Sequence, residues 1–175
     1  MHASIDREQP FVLTLKLDDR AFGFFDDLRR RHFPPGRNVV PAHLTLFQQL
    51  PGGRSREIKA LLSSLAARQK PLALTVRKVK AIGKGVAYFF DAPALMALRD
   101  GLADEWSPWL TDQDRAPYWP HVTVQNKVAP KIANALARQL AGGFQPFQVT
   151  GAGLILWRYL GGPWQLERDF RFAGR

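Results

Sequence analysis

The sequence contains no cysteine, and this absence excludes three classes of site. A disulfide scaffold, a thiol nucleophile and a cysteine-ligated zinc site all need the thiol group. Histidine is also scarce, with four in 175 residues. The chain lacks the run of roughly 18 apolar residues that a membrane helix needs, and residues 1–10 lack the apolar stretch of a signal peptide. We therefore expect a cytoplasmic monomer that contacts no membrane.

Acidic residues are few compared with basic ones, 15 against 25, which gives a formal net charge of +10. Residues 1–90 hold 16 Lys/Arg and 7 Asp/Glu, whereas residues 91–175 hold 9 and 8. Nine basic side chains occur between Arg54 and Lys84, with one acid, Glu57. This stretch is either a solvated helix face followed by a charged hairpin, or a surface that attracts an anionic partner such as nucleic acid or a phosphorylated small molecule.

Short runs of β-branched and aromatic residues alternate with amphipathic segments along the chain, a pattern typical of a mixed α+β protein. The apolar fraction of 46% is enough for one globular domain. The pattern predicts strands over residues 11–17, 43–47, 72–76, 79–82, 86–90, 121–125, 147–150, 154–159 and 164–172. It predicts helices over about 20–32, 57–69, 91–106 and 130–141.

The two halves of the sequence repeat each other. His-Leu-Thr-Leu at 43–46 corresponds to His-Val-Thr-Val at 121–124, and an amphipathic helix follows each. Each helix leads to a proline that precedes a strand, at Pro71 and at Pro146. Such self-similarity predicts a duplicated, pseudo-symmetric pair of lobes, and no linker composition separates them. We expect one domain over 1–175, with lobes of approximately 11–90 and 91–172 that could exchange terminal strands.

The paired His-x-Thr motifs carry the strongest chemical signal. With six threonines in the chain, a given histidine has Thr two positions later with a chance of about 3%, so two equivalent copies are not expected at random. Residues i and i+2 of a strand share a face, so His43 projects with Thr45 and His121 with Thr123. Imidazoles can act as base and acid near neutral pH, and hydroxyls can donate to phosphoryl oxygens.

Three further residues are candidates for contacts with a substrate. Lys127 follows the second motif and could supply charge to a phosphate. Tyr118, beside Trp119, and Trp157 could stack on a base, because aromatic faces bind nucleobases of any sequence. Packing in the core is the competing interpretation for each aromatic side chain. No metal-ligand spacing is present, and we expect no metal and no cofactor.

His43-Leu44-Thr45-Leu46 and His121-Val122-Thr123-Val124 resemble the paired signature of the 2H phosphoesterase superfamily. Within it, the chain is similar to the bacterial 2′-5′ RNA ligase / RNA 2′,3′-cyclic phosphodiesterase family over nearly its whole length. The resemblance implies a bilobal α+β fold with two antiparallel sheets around a central cleft and helices outside. It also implies a catalytic pair, His43 and His121, with phosphate-binding hydroxyls on Thr45 and Thr123.

The activity implied by the resemblance is that of a phosphoric diester hydrolase, which opens 2′,3′-cyclic phosphates of RNA ends or nucleotides to 2′-phosphates without a metal. Ligation to a 2′-5′ linkage is a possible second activity. Two positions differ from the ligase-type pattern: Gln48-Gln49 follow the first motif, and Asn126 stands where many RNA-active members carry Arg. Two alternatives stay open, namely another small cyclic phosphate such as an ADP-ribose derivative as substrate, and a non-catalytic RNA-binding module.

Overall fold

A computed structural model describes residues 9–175. Residues 1–8 of the predicted domain lie outside the described residues. They make up most of the segment, residues 1–10, in which no signal peptide is expected. The strands are β1 (Phe11–Leu17), β2 (Leu44–Leu50), β3 (Leu72–Ala81), β4 (Val86–Asp91), β5 (His121–Gln125), β6 (Phe147–Tyr159) and β7 (Trp164–Arg171). The helices are α1 (Asp19–His32), α2 (Ser55–Arg68), α3 (Pro93–Glu105), α4 (Asp112–Arg115) and α5 (Pro130–Ala141).

All seven strands belong to one antiparallel sheet, in the order β2-β1-β6-β3-β4-β5, with β7 paired to β6. The first part of β6 pairs with β3, from Phe147 to Gly151, and the rest pairs with β1, up to Arg158. The predicted α+β class with antiparallel strands and helices outside is confirmed. The two expected sheets are halves of one curled sheet, because β6 is long enough to join them.

The sequence repeat can be followed in the topology. The first copy is β1-α1-β2-α2-β3 and the second is β4-α3-β5-α5-β6, and each places its motif strand at an edge of the sheet. The last strand of each copy pairs with the first strand of the other copy, β3 with β4 and β6 with β1. One continuous set of buried apolar side chains underlies both copies. We propose on this basis that the chain is a single domain.

Alternation along the strands separates a core face from a cleft face. Val122 and Val124 are 0% exposed, while His121 and Thr123, which alternate with them, are partly exposed. The core face is covered by helices, with α1 packed against β5, α5 against β3 and α2 against β7. Asp18 fixes the start of α1, because its carboxylate accepts a hydrogen bond of 2.9 Å from the Ala21 backbone N–H.

The structure differs from the predicted elements in three places. The strands predicted over 72–76 and 79–82 are one strand with a bulge between Val76 and Lys78, and those over 147–150 and 154–159 are also one strand. The loop before β5 contains the short helix α4, which was not predicted. Among the described residues, no helix combines the length and apolar character needed to cross a membrane.

Candidate active site

The curl of the sheet brings its two edge strands, β2 and β5, within 8 Å of each other between Cα atoms. β2 and β5 run in opposite directions, because five antiparallel steps separate them in the strand order. The motif of one strand is therefore reversed relative to the other, so that Thr45 lies on the side of His121 and Thr123 on the side of His43. This antiparallel arrangement of the two facing strands places an imidazole and a hydroxyl at each end of one cleft.

His43 lies immediately before β2, and two contacts orient its ring. Its Nδ1 is 2.8 Å from the Pro41 carbonyl oxygen, and its ring centroid is 4.6 Å from that of Trp164. Burial is the main cause that lowers the pKa of His43 to about 4; the Pro41 hydrogen bond opposes this shift, and the positive charges of Arg29 and His121 contribute to it. His43 is therefore a neutral imidazole at neutral pH.

His121 opens β5 and has the same local arrangement. Its Nδ1 is 2.7 Å from the Trp119 carbonyl oxygen, two residues earlier in the chain, as Pro41 is for His43. Its ring stacks on Phe89 of the neighbouring strand, with centroids 5.4 Å apart and planes at 25°. Since Phe89 and His121 are paired in register across β4 and β5, their side chains share the cleft face.

The two carbonyl contacts fix which ring nitrogen is available for chemistry. A carbonyl oxygen only accepts hydrogen bonds, so Nδ1 of each histidine carries the proton and donates it. In a neutral ring, Nε2 is then the unprotonated nitrogen that can accept a proton from a reactant. Both imidazoles are held in the orientation that a proton-transfer catalyst needs, with Nδ1 engaged and Nε2 available.

The strand bearing each threonine is held by a side chain from another element. The Tyr118 hydroxyl donates to the Thr45 carbonyl oxygen at 2.8 Å, and Arg29 Nη1 donates to the Thr123 carbonyl oxygen at 2.8 Å. Both hydrogen bonds are made to backbone oxygens, so the threonine hydroxyls take no part in them. Thr45 and His121 line one pocket of about 300 Å³ together with Phe89, whereas His43 and Thr123 do not line it.

Arg29 places a buried positive charge near the cleft. It is 3% exposed, and its Nε donates to Asn38 Oδ1 at 3.1 Å. Burial lowers the pKa of Arg29 to about 10, and the Asp26 carboxylate opposes this effect, so the guanidinium stays charged at neutral pH. A charge of this sign helps to keep His43 neutral and favours an anionic ligand beside it.

A second buried network holds the loop before β5 against β2. Asp114 accepts hydrogen bonds from the backbone N–H groups of Gln48 and Gln49, at 2.7 and 2.9 Å. Arg99 donates to the carbonyl oxygens of Leu46 and Asp114, each at 2.8 Å. Its guanidinium also lies 4.2 Å from the Tyr118 ring centroid. This network supplies hydrogen-bond partners to backbone N–H and C=O groups at the edge of β2, and it holds the segment that carries Tyr118 in place.

The remaining sequence candidates occupy different places. Tyr118 lines the pocket, but its hydroxyl is engaged with β2, and burial raises its pKa. Trp157 lies on the cleft face, where its Nε1 donates to Thr14 Oγ1 at 2.9 Å and its ring is 6.0 Å from Trp164. Lys127 is exposed beyond the end of β5 and does not line the pocket.

Several residues of the site are not marked by any motif or repeat in the sequence. Phe89 and Trp164 each contact a motif histidine, and Arg29 lies in a basic run at the end of α1. Asp114 lies in the short helix α4, within the proline-rich segment before β5. The sequence does not place Phe89 on either face of β4, because residues 86–90 are all apolar or aromatic.

Comparison with known proteins gives a family and a fold. The family model described as the 2′-5′ RNA ligase superfamily matches residues 17–163. The protein TT0787 of Thermus thermophilus is similar in structure, with a TM-score of 0.67 at 19% identity over 95% of this chain and 99% of that chain. Escherichia coli LigT complexed with 3′-AMP gives 0.64 at 20% identity, and a structure described as a phosphoesterase gives 0.59 at 20%, both with 95% and 99% coverage. No curated protein matches the chain.

Proposed function

The chain belongs to the 2′-5′ RNA ligase superfamily, within the 2H phosphoesterases, and from this membership we propose that it opens 2′,3′-cyclic phosphates to 2′-phosphates. Membership of this superfamily supports a phosphoesterase or ligase activity for the chain, without specifying the reaction. The observation that carries the finer proposal is the pair of oriented imidazoles, His43 and His121, on two facing edge strands. Each has its Nδ1 bound to a backbone carbonyl and its Nε2 free of that contact.

We assign the two roles from the neutral state of His43, with His43 as the base and His121 as the acid. In the proposed step, water attacks phosphorus, its proton passes to Nε2 of His43, and a P–O bond forms. The bond from phosphorus to the 3′ oxygen breaks, and His121, entering the step protonated, gives its proton to that oxygen. The product is a 2′-phosphate with a free 3′-hydroxyl, and the histidines end with exchanged protonation states. Each positioned proton transfer contributes roughly 10²- to 10⁴-fold in rate.

The charge that develops on the phosphoryl oxygens needs donors that are already in place. We assign this role to the Thr45 and Thr123 hydroxyls, one at each end of the cleft, with the buried Arg29 guanidinium nearby. A 5′-hydroxyl that replaces water as the nucleophile, deprotonated in the same way, would give a 2′-5′ linkage. The proposed ligase activity thus needs no further group in the site.

The test is product analysis by phosphorus NMR with excess chelator present. The expected result is a 2′-phosphate from a 2′,3′-cyclic nucleotide and from a cyclic-ended oligoribonucleotide. A parallel assay uses an ADP-ribose-type cyclic phosphate. Faster turnover of that compound than of the RNA-type substrates would favour the alternative, in which the substrate is a small cyclic phosphate other than RNA. Oligonucleotide binding without turnover of any of the three would instead favour a non-catalytic RNA-binding module. Activity lost with chelator and restored by a metal ion would overturn the metal-free proposal.

The pH dependence of kcat/KM is a separate prediction, because it reports the free enzyme's groups. The pKa of His43 is lowered to about 4, so the imidazole stays unprotonated, and competent as a base, as the pH falls to that value. We expect the acidic limb of the profile near this pKa, well below the unperturbed histidine value of about 6.5. Tryptophan fluorescence at each pH controls for unfolding, and an acidic limb at the unperturbed value would contradict the assignment.

A further inference from the structure

Two lysines of β3 lie in the same rows of the sheet as the second motif. Lys78 is paired with Phe89 of β4, and Phe89 with His121 of β5. In the next row, Lys80 is paired with Ala87, and Ala87 with Thr123. Since directly opposed residues of neighbouring strands share a face, both lysines project on the cleft side, about 10 Å from β5 at the usual strand spacing.

These lysines line a second pocket, next to the one that contains His121. It has a volume of about 460 Å³, and its lining includes Lys78, Lys80, Phe89 and Trp119. Phe89 and Trp119 also line the pocket that contains Thr45 and His121. The two pockets are therefore neighbours with these aromatic side chains at their junction, and a ligand held at His121 has the second pocket beside it.

The charge of the second pocket is positive. Arg77, also in its lining, forms an ion pair of 3.1 Å with Asp91, the one carboxylate among the lining residues. Among residues 9–175, neither Lys78 nor Lys80 has a carboxylate within ion-pair distance. Lys80 Nζ lies 4.5 Å from the Phe89 ring centroid, so this ammonium group is directed toward the junction of the two pockets.

Trp119 supplies a large apolar surface at the same junction. Its side chain is 67% exposed, which is unusual for tryptophan in a protein of this size, and its backbone carbonyl accepts the His121 hydrogen bond. An exposed indole beside two ammonium groups matches the two parts of a nucleotide. Stacking on an aromatic ring holds a base, and lysines neutralise the phosphate.

We propose that this second pocket is a nucleotide subsite, in which Lys78 and Lys80 bind the phosphodiester on the 5′ side of the reacting nucleoside and Trp119 stacks on a base. This inference rests on the proposed function for the identity of the reacting end. A cyclic mononucleotide lacks this phosphodiester, so the subsite makes the enzyme prefer an oligoribonucleotide chain.

The test compares a mononucleotide with a tetranucleotide, each ending in a 2′-phosphate and therefore inert, by fluorescence anisotropy at several salt concentrations. Wild-type protein should bind the tetranucleotide more tightly and with a steeper salt dependence. The K78Q/K80Q variant should reduce the slope of log K against log salt by about 0.7 for each lost phosphate contact. W119A should weaken tetranucleotide binding by about 5- to 150-fold, the range found for loss of one stacked base. K131Q, at the exposed start of α5, is the matched control and should change neither.

A second measurement separates this inference from the proposed function. The ratio of kcat/KM for a cyclic-ended tetranucleotide to that for a cyclic mononucleotide should fall in K78Q/K80Q and stay constant in K131Q. Equal wild-type affinity for both inert ligands, or an unchanged salt slope in K78Q/K80Q, would overturn the subsite. If the tetranucleotide binds through these lysines but no cyclic substrate is opened, the subsite stands and the proposed activity fails.

Discussion

Replacing either His43 or His121 by alanine should lower kcat on a 2′,3′-cyclic phosphate by about 10²- to 10⁴-fold, the usual contribution of one positioned proton transfer. Both rings lie at the edge of the sheet, with Nδ1 held by a carbonyl oxygen two residues earlier. The double variant should lose less than the product of the two single losses, because residues that act in one step are not additive. Initial rates under substrate saturation give the comparison.

His32→Ala is the matched control, since His32 lies at the end of α1, outside both pockets. Circular dichroism of each variant checks that the sheet is intact. A nitrophenyl phosphodiester, whose leaving group departs without a proton, separates the two roles. H121A should regain much of its loss on this substrate, whereas H43A should not. Recovery of H43A instead would reverse the assignment of base and acid, and wild-type rates in both variants would refute the two-histidine mechanism.

The motif pair could be predicted because its determinants are local. Two residues of spacing fix a shared face in any strand, and the repeat places the two copies in equivalent strands. The contacts between the histidines and aromatic side chains of other strands have no such local determinant. Trp164 belongs to β7 and approaches His43 of the first repeat, and no periodicity within either segment encodes that contact. Asp114 binds the backbone of β2 from the four-residue helix α4, which is too short for hydrophobic patterning to predict.

The continuous strand β6 corrects a predicted boundary. The sequence predicts a break between residues 150 and 154, the segment that contains Gly151 and Gly153. The structure uses these glycines for close approach instead. A Cβ on Gly153 would lie 2.5 Å from the Phe170 carbonyl oxygen, and one on Gly151 would lie 2.9 Å from the Leu15 side chain. Glycine inside a strand marks such approaches as well as strand ends, and the neighbouring chain that decides between them is remote in sequence.

Replacing Thr45 or Thr123 by valine should lower kcat/KM by about 10²- to 10³-fold, the range for loss of one donor to a developing oxyanion. Valine keeps the β-branched shape and removes only the hydroxyl, so strand geometry should be retained. The contacts that hold these positions, from Tyr118 and Arg29, are made to backbone oxygens and are still available in both variants. A lower kcat/KM would therefore be caused by loss of the hydroxyl and not by a change of fold. Thermal melting of each variant measures whether the stability of the fold has changed.

Thr75→Val is the matched control, because Thr75 lies on β3, outside both pockets, and accepts its hydrogen bond from Gln148 at 2.8 Å. It should leave kcat/KM near the wild-type value. Thr45→Ser and Thr123→Ser keep the donor and should retain most of the activity that valine removes. If serine loses as much as valine, the methyl group and its packing matter rather than the hydroxyl. If neither valine variant differs from wild type, the developing charge is stabilised elsewhere in the cleft, and the buried Arg29 guanidinium becomes the next group to replace.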